Sequence, residues 1–239
     1  MPEPLLRASG VTKRFGGFSA LEHIDLEVHP GERLGLIGPN GSGKTTLVNC
    51  VTGTLHNDEG TIRFDGHDIT RLRTHKRMRL GIARSFQIPR PFHGMAVLEN
   101  LVVPLEYVVH LNDSEAHREA REILQRIGLA DKADTRANQL SQIELRKLEL
   151  ARAMASWPRL LISDEAMAGL SGSEVDEVLE ILFKLNESGI TIVMIEHIMH
   201  AVMRFSQRVV CLDAGRIICE DTPASIVQNP EVQRAYLGA

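Results

Sequence analysis

The stretch Gly38-Pro39-Asn40-Gly41-Ser42-Gly43-Lys44-Thr45 fits G-x-x-x-x-G-K-[ST], a spacing suited to gripping phosphate. Glycines let the main chain curl with its N–H groups inward, at dihedrals that a β-carbon disfavours. Lys44 would set a point charge on the β- and γ-phosphates, and the Thr45 hydroxyl would be a ligand to Mg²⁺. The flanks agree with this reading. Arg33-Leu34-Gly35-Leu36-Ile37 reads as a buried strand, and Thr46-Leu47-Val48-Asn49-Cys50-Val51 as the start of a helix whose N-terminus adds partial positive charge. Together these features imply a nucleoside-triphosphate site.

Hydrolysis of such a ligand needs acids, and the chain supplies two at one strand end. Arg159-Leu160-Leu161-Ile162-Ser163-Asp164-Glu165 is an apolar run closing on carboxylates, as expected of a central strand buried on both faces. Asp164 can hold Mg²⁺ through water, and Glu165 can orient or deprotonate an attacking water. A second strand, 190–195, ends at Glu196-His197, from where the imidazole can reach a γ-phosphate. His197 and His200 are spaced as metal ligands too, although no third ligand is apparent. Phe15, beside Gly16 and Gly17, reads equally as a ring for base stacking, worth roughly 1–3 kcal/mol, or as ordinary core.

The elements that would hold these groups follow from periodicity. Ile24, Leu26 and Val28 alternate with polar residues, predicting an antiparallel sheet with one wet face in 5–30. A further strand is expected over 60–66. Arg71–Leu80 reads as a basic helix whose charges form a solvated face, with an anionic lipid or partner contact as the alternative. The segment 81–86 reads as a strand leading to Gln87. Beyond Ile88, two X-Pro pairs break regular structure and strand signals vanish to about Leu160. Helices are expected over 97–103, 114–127 and 141–156, with Asp113 or Ser114 as the N-cap of the second and Gly128 as its stop. An amphipathic helix over 173–187, strands 208–212 and 216–219, and helices 222–228 and 230–237 complete the chain. The predicted fold class is α/β: a P-loop core with a mixed central sheet (1–88 and 157–239), an antiparallel β subdomain, and an inserted all-helical subdomain (89–156).

With 239 residues the chain can bury a full core. Its formal charge of -4 gives no global basic field, so nucleic acid is not an expected partner. Pro2-Glu3-Pro4 interrupts any leader-like pattern, and the apolar runs are too short to span a bilayer. Cys50, Cys211 and Cys219 lack metal-ligand spacing and are expected as reduced thiols.

In the order phosphate loop, Gln87, helical insert, Leu140-Ser141, Asp164-Glu165 and His197, the whole chain resembles the ATP-binding subunits of ABC transporters. The narrower resemblance is to the branched-chain amino-acid importer ATPases and their urea and amide relatives. It is carried by 35–41, 81–87, 97–100 and 195–197, and by the tail 229–232 and 235–238. The resemblance implies nucleotide contacts along Gly38, Asn40, Gly41, Ser42, Gly43, Lys44, Thr45 and Thr46, with Phe15 stacked on adenine. It implies Mg²⁺ at Thr45, Gln87 and Asp164, catalysis by Glu165, and a switch role for His197 at the γ-phosphate. It further implies an ATPase on the cytoplasmic face of the membrane, coupling ATP-driven dimerisation to solute import. A second ATPase subunit, identical or not, would sandwich two ATP molecules with it, presenting Ser141 to the partner's nucleotide. Permease subunits would dock through 87–105, with a solute-binding protein as an indirect partner. The alternative function is a soluble ABC ATPase acting on ribosomes or DNA; such proteins carry tandem cassettes, coiled coils or basic extensions not seen here.

The sequence departs from the family at its signature. The usual L-S-G-G-Q is here Leu140-Ser141-Gln142-Ile143-Glu144, with Ile143 on the glycine that close variants keep. A β-branched side chain there would crowd the approach to the partner's γ-phosphate. Ala166 stands for the usual Pro, and Ser171 for Asp or Asn.

Overall fold

A computed structural model describes residues 3–86 and 88–237. The roles expected of Gln87, and the contribution of Gly238 to the tail pattern, therefore lie outside the described residues. Contacts divide the chain into two compact units, Met1–Arg77 with Thr191–Ala239, and Met78–Ile190.

In the first unit, β1 (Leu6–Phe15) and β2 (Phe18–Val28) pair as an antiparallel hairpin. They are followed by β3 (Arg33–Ile37), α1 (Lys44–Thr52), β4 (Glu59–Phe64), β5 (His67–Asp68) and α2 (Thr74–Arg79). The expected one-sided sheet is present in the order β2-β1-β4-β5, with Ile24, Leu26 and Val28 inward and Asp25 and Glu27 in solvent. Each Leu or Ile so buried contributes about 1.5–3 kcal/mol.

The basic segment departs from expectation at one residue. Arg77 is 1 % exposed, and its guanidinium donates to the carbonyls of Cys50 (2.6 Å), Val51 (2.8 Å), Leu72 (2.9 Å) and Thr70 (3.0 Å). It neither faces solvent nor waits for a lipid. A cation here closes the carbonyl end of α1, where the helix dipole is negative. Arg71, Arg73, Lys76 and Arg79 are exposed as expected.

The second unit runs through β6 (Ile82–Ser85), α3 (Val97–Pro104), α4 (Asp113–Ile127), α5 (Gln142–Met154), β7 (Leu160–Asp164) and α6 (Gly172–Glu187). Pro104 has no N–H to donate, and after it the helix widens into a π-helical turn, Leu105–Val109, ending at His110 with φ 68°. The N-cap of α4 is Asn112 rather than Asp113 or Ser114. A reciprocal cap needs Glu or Gln three residues on, and only Asn112 has one. Its Oδ1 accepts from Glu115 N–H (3.0 Å), and its own N–H donates to the Glu115 carboxylate (3.2 Å). Gly128 ends α4 with φ 74°, as expected.

The chain returns to the first unit with β8 (Thr191–Ile195), α7 (Met199–Phe205), β9 (Arg208–Asp213), β10 (Arg216–Asp221), α8 (Pro223–Gln228) and α9 (Pro230–Leu237). Strands β10, β9, β3 and β8 lie in that order, antiparallel at the first step and parallel at the next two. The sheet is mixed and the class is α/β, as expected. The thiols of Cys50 and Cys211 are buried and pushed up by that burial to about 11 and about 12; all three cysteines are free.

Candidate nucleotide-binding site

Strand β3 delivers the phosphate loop, and α1 leaves it. Gly38 has φ 147° and a β-carbon on it would lie 2.1 Å from Leu212 O; Gly43 has φ 109° and its β-carbon would lie 2.7 Å from Ala20 O. No other residue type fits either place, so the curl is set by sequence. Gly215 N–H donates to Ser42 O (2.9 Å), tying the β9–β10 turn to the loop. Helix α1 begins on Gly43 without a side-chain cap, so its positive N-terminal end faces the loop where a phosphate would bind. Lys44 Nζ bonds the loop's own carbonyls, Gly38 O at 2.7 Å and Pro39 O at 3.0 Å. Asn40, Gly41 and Thr45 are exposed, while Ser42 is buried.

Register brings His197 to the same edge. Leu36 pairs with Ile195 in the parallel β3–β8 ladder, so Gly38 and His197 each lie two residues past neighbouring positions. Ligands of open α/β sheets bind beyond such carboxyl ends. His197 is exposed, whereas Glu196 before it is 2 % exposed. Among the described residues no group of three or more His, Cys, Asp or Glu is placed to hold a metal. Phe15, at the end of β1, is 49 % exposed, with Lys13 Nζ 5.5 Å from its ring centroid. It is not core.

The second unit holds the acids. In the parallel β6–β7 pair Ser85 lies beside Ser163, so Phe86 and Asp164 leave the strands side by side. All five residues of β7 are buried, Asp164 included at 5 % exposed. Its Oδ2 accepts from Arg84 Nη2 and Nε, the latter at 3.1 Å. Arg84 was not anticipated as part of the site; its signal is a lone cation inside a strand with Ile82 and Ala83 buried. Glu165 is half-buried with φ 48°, a conformation costing a non-glycine residue of order 1–3 kcal/mol. Thr45 and Asp164 are hard oxygen donors, which suits Mg²⁺.

Two sequence-family models match: that described as ABC transporter over residues 21–168, and that described as branched-chain amino acid ATP-binding cassette transporter over residues 216–239. The high-affinity branched-chain amino acid transport ATP-binding protein BraF of Pseudomonas aeruginosa is 38 % identical over 100 % of this chain and 99 % of its own length. The chain belongs to the ABC transporter family. It is an ATP-binding, ATP-hydrolysing subunit of that family. This ABC ATPase superposes on the ADP conformation of MJ1267, an ATP-binding cassette of an ABC transporter, with a TM-score of 0.91 and 31 % identity over 100 % of both chains. It also superposes on a dimeric, post-hydrolysis ATP-binding cassette, MJ0796 with ADP and Pi, with a TM-score of 0.82 and 26 % identity over 91 % of this chain and 98 % of that one.

The divergent signature segment of this ABC ATPase starts α5. Ser141 is its exposed N-cap: Oγ accepts from Glu144 N–H (3.4 Å), and Ser141 N–H donates to the Glu144 carboxylate (2.8 Å). Those bonds, and Lys132 Nζ at 3.2 Å, hold the Glu144 carboxyl below its usual range. Ile143 lies half-buried in the first turn. Ala166 is buried at 2 % exposed, and Ser171 caps α6 with its N–H on the Glu174 carboxylate at 2.7 Å.

Proposed function

We propose that this ABC ATPase drives import of branched-chain amino acids or related small polar solutes, working as a peripheral subunit on the cytoplasmic face of a membrane. The observation that carries the chemistry is the glycine-shaped phosphate cradle of 38–46. The solute rests on relatives such as BraF, whose name specifies branched-chain amino acid transport. Among the described residues no helix is long and apolar enough to cross a membrane, which suits a subunit that relies on permeases for the crossing. No relative named here supports action on ribosomes or DNA.

In this reading the loop N–H groups and Lys44 bind and orient the phosphates, and Phe15 stacks on the adenine. Glu165 takes a proton from the attacking water, while His197 fixes the γ-phosphate. Mg²⁺, bound with ATP by Thr45, Asp164 and Gln87, would neutralise charge on the β- and γ-oxygens. A second ATPase subunit completes each site with its own Ser141, or the equivalent residue in a non-identical partner. The permeases dock on the 87–105 region. In support of that surface, Phe86 and Phe92 are 46 % and 44 % exposed beside Tyr107 in an apolar groove of the second unit. Arg84 stacks over Phe86 and Arg152 over Phe92, each 5.2 Å from the ring centroid.

The reading is tested by recovering the protein from detergent-solubilised membranes. Permease subunits should accompany it, and a solute-binding protein loaded with leucine should stimulate ATP hydrolysis by the recovered complex. Recovery with ribosomes instead would overturn it. The same complex tests the signature. Ile143→Gly should raise ATP turnover, because Ile143 narrows the approach to the partner's γ-phosphate; unchanged turnover would show that the side chain is tolerated. Since the phosphate loop, Asp164, Glu165 and His197 are all retained, Ile143 weakens only the site this chain completes for its partner, which favours a heterodimer of one strong and one weak site.

A further inference from the structure

One contact at the phosphate loop comes from the far end of the chain. Gly38 N–H donates to the hydroxyl of Tyr236, 198 residues later, at 2.8 Å. Gly38 is thereby held through every group it has. Its carbonyl accepts from Lys44 Nζ at 2.7 Å, and the space where a side chain would stand is filled by Leu212 O. The lysine expected on phosphate and the tyrosine of the tail grip opposite ends of one residue. The helix presenting Tyr236 is itself anchored. Asn229 Oδ1 accepts from Glu231 N–H (2.8 Å) and Val232 N–H (3.3 Å), its Nδ2 donates to Cys219 Sγ (3.1 Å), and Val232 is 4 % exposed. Partial burial raises the phenol pKa above its ordinary value, so the hydroxyl keeps its proton while it accepts.

We propose that Tyr236 is a positioning residue for nucleotide binding: its hydroxyl fixes the Gly38 peptide, and through it the resting place of Lys44 and the opening of the phosphate loop. The tail that the branched-chain family model matches would thus be part of the nucleotide site. The inference rests on the loop being that site.

Tyr236→Phe keeps the ring and removes only the hydroxyl. In the full-length protein, mant-ADP with Mg²⁺ should bind Tyr236→Phe roughly two- to tenfold more weakly than the wild type, the range for one net hydrogen bond. Without nucleotide, the Gly38 amide should shift in the ¹⁵N NMR spectrum and lose protection from exchange, while the melting temperature falls by only about 1–6 °C, the worth of one hydrogen bond. In the assembled transporter KM for ATP should rise with kcat kept. Equal affinity, or weaker binding with the Gly38 amide unmoved, overturns the proposal. Failure of the wild type itself to bind mant-ADP would instead remove the nucleotide reading.

Discussion

Glu165→Gln should slow ATP hydrolysis by roughly 10²–10⁴-fold, the usual worth of a positioned acid–base group, while ATP binding is retained. The substitution keeps size and shape while removing the negative charge and, with it, the capacity to take a proton. The backbone supports reading the carboxylate as functional. Glu165 follows the wholly buried β7 and adopts φ 48°, which Asn, Asp or Gly would tolerate with less strain. Phosphate release at saturating ATP, with nucleotide affinity measured separately, decides the matter. A normal rate in Glu165→Gln would move the base elsewhere, whereas loss of binding with the rate would mean that Glu165 only holds the loop in shape.

What the sequence made legible here was local. The phosphate loop is legible because its demands fall on eight consecutive residues and its glycines have no substitutes where Leu212 O and Ala20 O press on them. Strand β7 is legible because burial on both faces leaves an unbroken apolar run. The helix starting at Asp113 was legible, but its cap was not, since Asn112, Asp113 and Ser114 all cap well in isolation and only the position of Glu115 chooses among them. Three other features depend on distant partners. Arg77 looks like its basic neighbours until the end of α1 arrives beside it. Arg84 acquires its meaning from Asp164, 80 residues later, and Tyr236 from Gly38, 198 residues earlier. No pattern within a window shorter than these separations carries that information.

Arg84→Ala should strongly destabilise the second unit. Arg84 and Asp164 have side chains only 12 % and 8 % exposed, and the guanidinium meets one carboxylate oxygen through two nitrogens. Removing one partner of a buried pair costs about 3–5 kcal/mol, chiefly because the remaining charge is stranded away from water. For a chain of this length each kcal/mol moves the melting temperature by about 2–4 °C, so a fall on the order of 10 °C is expected. Arg84→Lys should recover part of the loss, because an ammonium restores the charge but neither the two-nitrogen grip nor the stacking on Phe86. The cause is isolated by adding Asp164→Asn. If the stranded carboxylate carries the penalty, Arg84→Ala combined with Asp164→Asn will be markedly more stable than the sum of the single changes predicts. Strict additivity would mean that Arg84 stabilises β6 by packing alone, and that Asp164 keeps its place without help from the guanidinium.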